Sequence, residues 1–92
     1  MNFLNLYYFN ITAEELSFTK AAKRLFITQQ SLSNHISRLE NEFGVTLFNR
    51  TQPMTLTEAG QSLYQSSRSL LYQKQQIEKN MQDPALSKAV GR

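Results

Sequence analysis

Amide and hydroxyl side chains cluster in the first half of this 92-residue chain. They are Gln29, Gln30, Ser33, Asn34 and Ser37. Glutamine and asparagine donate and accept hydrogen bonds at once, so either can form a bidentate pair with N6 and N7 of adenine. Serine hydroxyls can bond to bases or to phosphates. These groups therefore suit the base edges that a DNA major groove displays.

A second set of side chains is suited to the phosphates on either side of such a groove. Thr28 and Ser31 lie at the start of the same segment, where free backbone amides and the helix dipole favour an anion. The others lie before and after it: Thr19, Lys20, Lys23, Arg24, Arg38, Arg50 and Gln52. Contacts of this kind position a protein on DNA without choosing a sequence.

A solvated helix face is the alternative interpretation of the polar residues between Gln29 and Ser37. Lysine and glutamate are the usual residues of such a face, because they are strong helix formers. Serine and asparagine lower helix propensity. Their use here therefore favours a binding role.

Helical spacing places these side chains on the third of four predicted helices. Ser17, Thr28 and Thr57 are predicted N-caps of the second, third and fourth helices, and Gly44 is predicted to end the third. The apolar stripes predicted to face inward are Phe3, Leu6, Phe9, Ala13 and Leu16 on the first helix, Phe18, Ala21, Ala22 and Leu25 on the second, and Leu32, Ile36, Leu39 and Phe43 on the third.

Residues 45–49 and 54–56 are predicted to form the two strands of a small hairpin, or wing. After it no helix breaker appears before Asp83-Pro84. A helix of that length would extend close to 40 Å, which is longer than a core this small can cover. Its seam has coiled-coil spacing: Leu63, Ser67, Leu70, Lys74, Ile77 and Met81. A second copy is expected to cover this seam, giving a homodimer.

Composition narrows the class of protein without identifying it. The net charge of +3 suits a polyanionic partner. No cysteine is present, so neither a disulfide framework nor a thiolate metal site is expected, and a reducing cytoplasm fits. No run of residues is apolar and long enough to cross a membrane, and no cofactor is indicated.

His35 is the only histidine, with no second histidine or cysteine to complete a metal site. It is expected either to flank DNA or to pack. Ser33 and His35 lie two apart on a helix and so point in different directions, and no catalytic group is expected.

Many short motifs occur here in a shared order and register. They are Tyr8-Phe9, Ala13-Glu14, Ser17-Phe18-Thr19, Ala21-Ala22, Arg24-Leu25, Thr28-Gln29, Leu32-Ser33, Leu39-Glu40, Phe43-Gly44-Val45, Leu47-Phe48, Arg50-Thr51 and Leu56-Thr57-Glu58-Ala59-Gly60. Together they closely resemble the N-terminal domain of LysR-type transcription regulators over about residues 6–60.

The resemblance implies a mainly α fold: a winged helix-turn-helix of three helices and a two-stranded wing at 1–57, a linker or dimerisation helix at 58–83, and a flexible tail or hinge at 84–92. The helix at about 28–43 would enter the major groove of double-stranded DNA. Two copies would pair through antiparallel linker helices on an inverted repeat. A small-molecule effector would bind only through a C-terminal domain that these residues do not include.

Gln29, Gln30, Ser33 and Asn34 match the family's groove-facing positions, and Arg50 matches its backbone-contacting wing arginine. Four features differ from the family's usual pattern. Proline is common where Gln30 stands. Arginine is common where Asn34 stands, so a preference for adenine instead of guanine is expected there. The wing is one residue shorter and lacks a second arginine, so minor-groove reading should be weaker. Leu16 replaces a frequent glycine and is expected to lengthen the first helix.

A protein-interaction module is the competing interpretation. In that case the same helices would dock a protein partner and the basic residues would be incidental. The two interpretations differ in their response to salt, because phosphate contacts are strongly salt-dependent.

Overall fold

The structure, a computed structural model, describes residues 1–85. In this range the chain forms α1 (Phe3–Glu15), α2 (Phe18–Leu25), α3 (Gln29–Phe43), β1 (Phe48–Asn49), β2 (Thr55–Leu56) and α4 (Glu58–Met81). The predicted mainly α fold, a winged helix-turn-helix followed by a long helix, is confirmed. Most of the predicted tail, at residues 86–92, lies outside the described residues.

Side-chain caps define where the helices begin. The side chains of Ser17, Thr28 and Thr57 each accept a hydrogen bond from the backbone N–H three residues further on, as predicted. Asn2 caps α1 in the same way. Each cap stabilises its helix by about 1 kcal/mol. Gly44 ends α3 in the left-handed conformation, also as predicted.

The core forms around α1, which packs against α2, α3 and α4. Leu6 and Phe9 of α1 are buried as predicted. The other fully buried large apolar side chains come from α3 and the start of the wing: Leu32, Ile36, Leu39, Leu47 and Phe48. Because three helices contact α1, it also buries polar residues such as Asn10 and Thr12, and its apolar stripe is poorly defined.

Three residues predicted to face inward lie at the surface. Phe3 at the start of α1, Leu16 just after its end and Phe43 at the end of α3 are 45%, 40% and 44% exposed. All three lie at a helix end. Helical spacing gives the direction of a side chain but not the extent of the surface that it meets.

Leu16 ends α1 instead of lengthening it, so that prediction is wrong. Its φ of 49° is left-handed, and its backbone N–H bonds to the carbonyl oxygen of Thr12. The chain therefore keeps a turn that favours glycine while placing a leucine there. The second non-glycine residue with positive φ among residues 1–85 is Phe26, the C-cap of α2, with a φ of 58°.

Replacing Phe26 with glycine is expected to raise the free energy of unfolding by about 0.5 kcal/mol. The left-handed conformation costs a non-glycine residue ~1 kcal/mol or more. The entropy that glycine loses on folding offsets part of that gain. The Phe26 side chain is 94% exposed, so little packing is lost. Thermal unfolding would measure the gain in stability. The control Phe26→Ala keeps a Cβ and should show no gain. An equal gain in both variants would contradict the strain argument.

The wing is shorter than predicted. Phe48 pairs with Leu56 and Asn49 with Thr55 in an antiparallel register. The residues before Phe48 do not join the ladder, because Glu40 binds their backbone: its carbonyl oxygen accepts from the N–H of Val45, and its carboxylate accepts from the N–H of Leu47 at 2.8 Å. The end of α3 thus fixes where the wing begins.

Candidate nucleic-acid interface

The structure brings the predicted base-reading residues onto one face of α3. Gln29, Gln30 and Asn34 are exposed, and Ser33 and Ser37 are half-buried beside them. Leu32, Ile36 and Leu39 are fully buried on the opposite side of the helix. The face begins in the first turn of α3, where backbone N–H groups have no partner within the helix.

A hydrogen bond holds the first of these side chains in place. The Gln29 side-chain amide donates to Oγ1 of Thr19 over 2.8 Å, joining the start of α3 to the start of α2. The amide keeps its second N–H and its oxygen for other partners, and both are needed for a bidentate contact. Sequence reasoning assigned Thr19 to phosphate contact and missed this bond, because no local pattern shows which polar pair meets across two helices.

Thr28 and Ser31 meet each other at the start of α3. Oγ1 of Thr28 accepts from the backbone N–H of Ser31 over 3.0 Å. The Thr28 hydroxyl keeps its own hydrogen, which it can donate. Both residues thus lie where the positive end of the helix dipole favours a phosphate.

Arg50 is held at the base of the wing by two contacts. Its guanidinium carbon lies 4.6 Å from the centre of the Phe18 ring. Its Nη2 lies 3.4 Å from Oε1 of Glu40. The side chain remains 44% exposed. Sequence reasoning found Arg50 but not Phe18 and Glu40, which position it. The other side chains predicted to contact phosphates at Lys20, Arg38 and Gln52 are also exposed.

Arg24 has a different setting, although its side chain is as exposed as that of Arg50, at 45%. Its Nη1 lies 2.7 Å from Oε1 of Glu14 and 3.0 Å from Oε2 of Glu15. Hydrogen bonds to Glu14 and Glu15 raise the pKa of the Arg24 guanidinium. Two carboxylates of α1 compensate its charge, which favours Arg50 over Arg24 as a phosphate contact.

His35 packs against α1. Its Nδ1 lies 2.5 Å from Oδ1 of Asn5, and its ring meets the Tyr8 ring edge-on at 4.7 Å between centres. Of the two roles expected for His35, the structure shows packing. Residues 1–85 contain no cluster of side chains that could hold a metal ion.

The predicted seam of α4 is partly used within the chain. Ser67 is 2% exposed. Its hydroxyl oxygen accepts a hydrogen bond from the Asn10 side-chain amide, and its O–H donates to the Tyr64 carbonyl oxygen. The seam prediction is therefore corrected at Ser67, which docks α4 on α1. Leu63 and Lys74 are half-buried, and Leu70, Ile77 and Met81 are exposed.

Comparison with known proteins identifies the family. A family model described as "Bacterial regulatory helix-turn-helix protein, lysR family" matches residues 3–61, which is more than half of the chain. The chain belongs to the LysR family. The resemblance to LysR-type transcription regulators, predicted from the order of the motifs, is thereby confirmed.

Named relatives of this LysR-family chain are transcriptional regulators. It is 44% identical to the HTH-type transcriptional regulator BudR of Klebsiella aerogenes over 87 residues, 94% of this chain and 55% of BudR. It is 45% identical to the HTH-type transcriptional regulator CatR of Pseudomonas putida over 71 residues, 77% of this chain and 25% of CatR. The chain thus spans from about a quarter to about half of the length of these relatives.

Solved structures of the family share the fold of this LysR-family chain. A crystal structure of BenM_DBD in complex with catB site 1 DNA matches with a TM-score of 0.88 and 38% identity, covering 92% of this chain and 96% of that one. Full-length BenM matches with a TM-score of 0.81 and 40% identity, covering 86% of this chain and 26% of that one. No helix within residues 1–85 combines the length and the apolar content needed to cross a bilayer.

Proposed function

We propose that this LysR-family chain binds double-stranded DNA at specific sequences, with α3 in the major groove. The observation that carries the proposal is the exposed face of amide and hydroxyl side chains on α3. Thr19 holds Gln29, the first residue of this face, in place by a hydrogen bond. The similarity to a domain solved on DNA supports it. In this proposal the chain acts in transcription regulation by binding DNA and not by catalysis. Chromosomal DNA as the partner implies a cytoplasmic location.

The proposed contacts fall into two groups. Base reading is assigned to Gln29, Gln30, Ser33, Asn34 and Ser37. Phosphate contact is assigned to Lys20, Thr28, Ser31, Arg38, Arg50 and Gln52, with Thr19 acting mainly through Gln29. The first group selects the sequence, and the second fixes the position of the protein on the duplex.

The proposed active unit is a homodimer that pairs through α4 on an inverted repeat. The described part of the chain leaves Leu70, Ile77 and Met81 of α4 exposed, which a second copy would cover. Two-fold symmetry would place the recognition helices on half-sites about one helical turn, ~34 to 36 Å, apart or at a multiple of that spacing. Residues 84–92 would act as a hinge toward an effector-binding domain in a longer regulator.

Selection of bound sequences from a random double-stranded DNA pool tests this function. The purified chain should enrich an inverted repeat, with adenine opposite Asn34 in each half-site, because an asparagine pairs bidentately with adenine. An invariant guanine at that position would contradict the adenine assignment alone. Absence of any enriched sequence would contradict sequence-specific binding itself.

Gln29→Ala is expected to weaken binding to the selected site by roughly 1 to 3 kcal/mol and to relax the preference at one base position. Fluorescence anisotropy with the selected site and with a scrambled duplex would measure both effects. The matched control is Gln65→Ala, the same change at an exposed position of α4. Equal losses on the two duplexes would show that Gln29 does not read a base.

A further inference from the structure

The hydrogen bond between Thr19 and Gln29 joins two helices at the edge of the base-reading face. The Gln29 amide donates to Oγ1 of Thr19 over 2.8 Å. Both side chains are exposed, Thr19 in the first turn of α2 and Gln29 in the first turn of α3. Between exposed groups such a bond stabilises the fold little, because water competes for both partners. Its place beside the proposed base contacts points to a role in binding.

The Gln29 amide can present its donor and its acceptor to a base in two orders, which a half-turn exchanges. In one order the N–H meets N7 of adenine and the oxygen meets N6, which is the bidentate pair. In the reverse order the oxygen faces N7, also an acceptor, and the N–H faces the position at which guanine carries O6. An amide that takes both orders therefore distinguishes adenine from guanine less well than an amide held in one.

The Thr19 hydroxyl by itself fits both orders of the amide. It can accept from the Gln29 N–H, as in the structure, or donate to the Gln29 oxygen after a half-turn. A third group that takes the hydroxyl hydrogen removes the second possibility, because the Thr19 oxygen can then only accept. A DNA phosphate is such a group, since its free oxygens are acceptors.

Positive charges lie on both sides of Thr19. Lys20 follows it and is exposed. Phe18 precedes it, and the guanidinium carbon of Arg50 lies 4.6 Å from the centre of the Phe18 ring. These two cationic side chains attract a phosphate to the end of α2 that carries the Thr19 hydroxyl.

We propose that Thr19 couples phosphate contact to base reading. Its O–H donates to a phosphate and its oxygen accepts from the Gln29 amide, so that the amide keeps the order that pairs with adenine. This inference rests on the proposed function and adds to it the means by which Gln29 selects a base. Thr19 is thus a positioning residue, which determines specificity without touching a base.

Two duplexes that carry adenine or guanine at the position read by Gln29 test this coupling. That position is the one at which Gln29→Ala relaxes the selected sequence. The unmodified chain should prefer adenine there by about 5- to 140-fold in fluorescence anisotropy. Thr19→Val removes the hydroxyl but keeps the branched shape, and should lower this preference by about 2- to 12-fold, the equivalent of one hydrogen bond.

Two further variants control for the change of side chain. Thr19→Ser keeps the hydroxyl and should retain the adenine preference. Thr46→Val is the same change as Thr19→Val at an exposed residue between α3 and β1, and it should also retain the preference. Loss of the preference in either control would overturn the coupling.

The base pair read by Asn34 separates positioning from a general loss of binding. Preference at that pair should stay unchanged in Thr19→Val. Equal weakening on the adenine and guanine duplexes, or equal relaxation at the Gln29 and Asn34 positions, would overturn the coupling and leave DNA binding standing. Absence of any sequence preference in the unmodified chain would overturn both the coupling and the proposed function.

Methylphosphonate substitution of single phosphates in the selected site tests the other end of the coupling. Each substitution removes one charge and one acceptor oxygen. At one phosphate it should lower the adenine preference of the unmodified chain and cause no further loss in Thr19→Val. Substitutions that weaken both duplexes alike at every phosphate, or that lower the preference equally in Thr19→Val, would show that no phosphate acts through Thr19.

Discussion

Gly60→Ala is expected to lower the free energy of unfolding by about 3 kcal/mol or more, an effect at the upper end for overpacking. A Cβ at residue 60 would lie 2.1 Å from the carbonyl oxygen of Leu47 and 3.1 Å from its carbonyl carbon. That oxygen also accepts a hydrogen bond from the backbone N–H of Thr57 over 3.0 Å. Relief of the clash therefore requires the backbone at the start of the wing to move away from α4.

Helix propensity predicts the opposite sign for this change. Gly60 lies in the first turn of α4, where alanine would favour the helix by as much as ~1 kcal/mol. The sign of the measured change therefore decides between local propensity and close approach. A loss of 3 kcal/mol would lower the melting temperature by roughly 10 to 25 °C in a domain of this size.

Gly44→Ala provides the control for this prediction. Gly44 has a φ of 65°, and a Cβ there would meet nothing within 4 Å. Its substitution should therefore cost only the left-handed strain, about 1 to 2 kcal/mol. Equal losses in the two variants, or a stable Gly60→Ala protein, would show that the Leu47 carbonyl does not constrain residue 60.

Local sequence patterns predicted the elements of this fold because the determinants of those elements are local. The caps Ser17, Thr28 and Thr57 each bind a backbone N–H three residues away, so a short window of sequence contains the whole interaction. Helical spacing likewise identified Leu32, Ile36 and Leu39, which are fully buried. Such interactions do not depend on how the helices pack.

The predictions that needed correction involve contacts between different elements of the fold. Ser67 has the spacing of a seam residue, but Asn10 of α1 binds it within the core. The wing is short because Glu40 of α3, seven residues earlier, binds the N–H of Leu47. Leu16 follows the helical stripe, yet the helix ends there so that α2 can turn back onto α1. Periodicity contains none of these tertiary constraints.

The candidate interface shows the same division. The base-reading face was predictable, because it lies on one helix with a fixed period. The separate roles of Arg24 and Arg50 were not, since both are basic residues near the same face. Their roles differ through their neighbours: two carboxylates for Arg24, and an aromatic ring and one more distant carboxylate for Arg50.

Binding of this chain to its selected DNA site is expected to weaken about 10³- to 10⁵-fold between 50 and 200 mM salt. This range applies when roughly 6 to 10 phosphates are neutralised, since each contact releases condensed counterions. Lys20, Arg38 and Arg50 from each of two copies provide the lower end of that range. A protein-interaction module would show little change, so the same titration tests the competing interpretation.

Two arginine variants test which side chains account for this salt dependence. Arg50→Gln should reduce the slope of log affinity against log salt by about 2 in a dimer, one contact from each copy. Arg24→Gln should leave the slope unchanged, because Glu14 and Glu15 already compensate the Arg24 charge. The two side chains are almost equally exposed, at 45% and 44%, so exposure alone predicts equal effects. Equal slopes in the two variants would therefore mean that net charge alone determines the salt dependence of DNA binding. The placement of Arg50 by Phe18 and Glu40 would then have no effect on it.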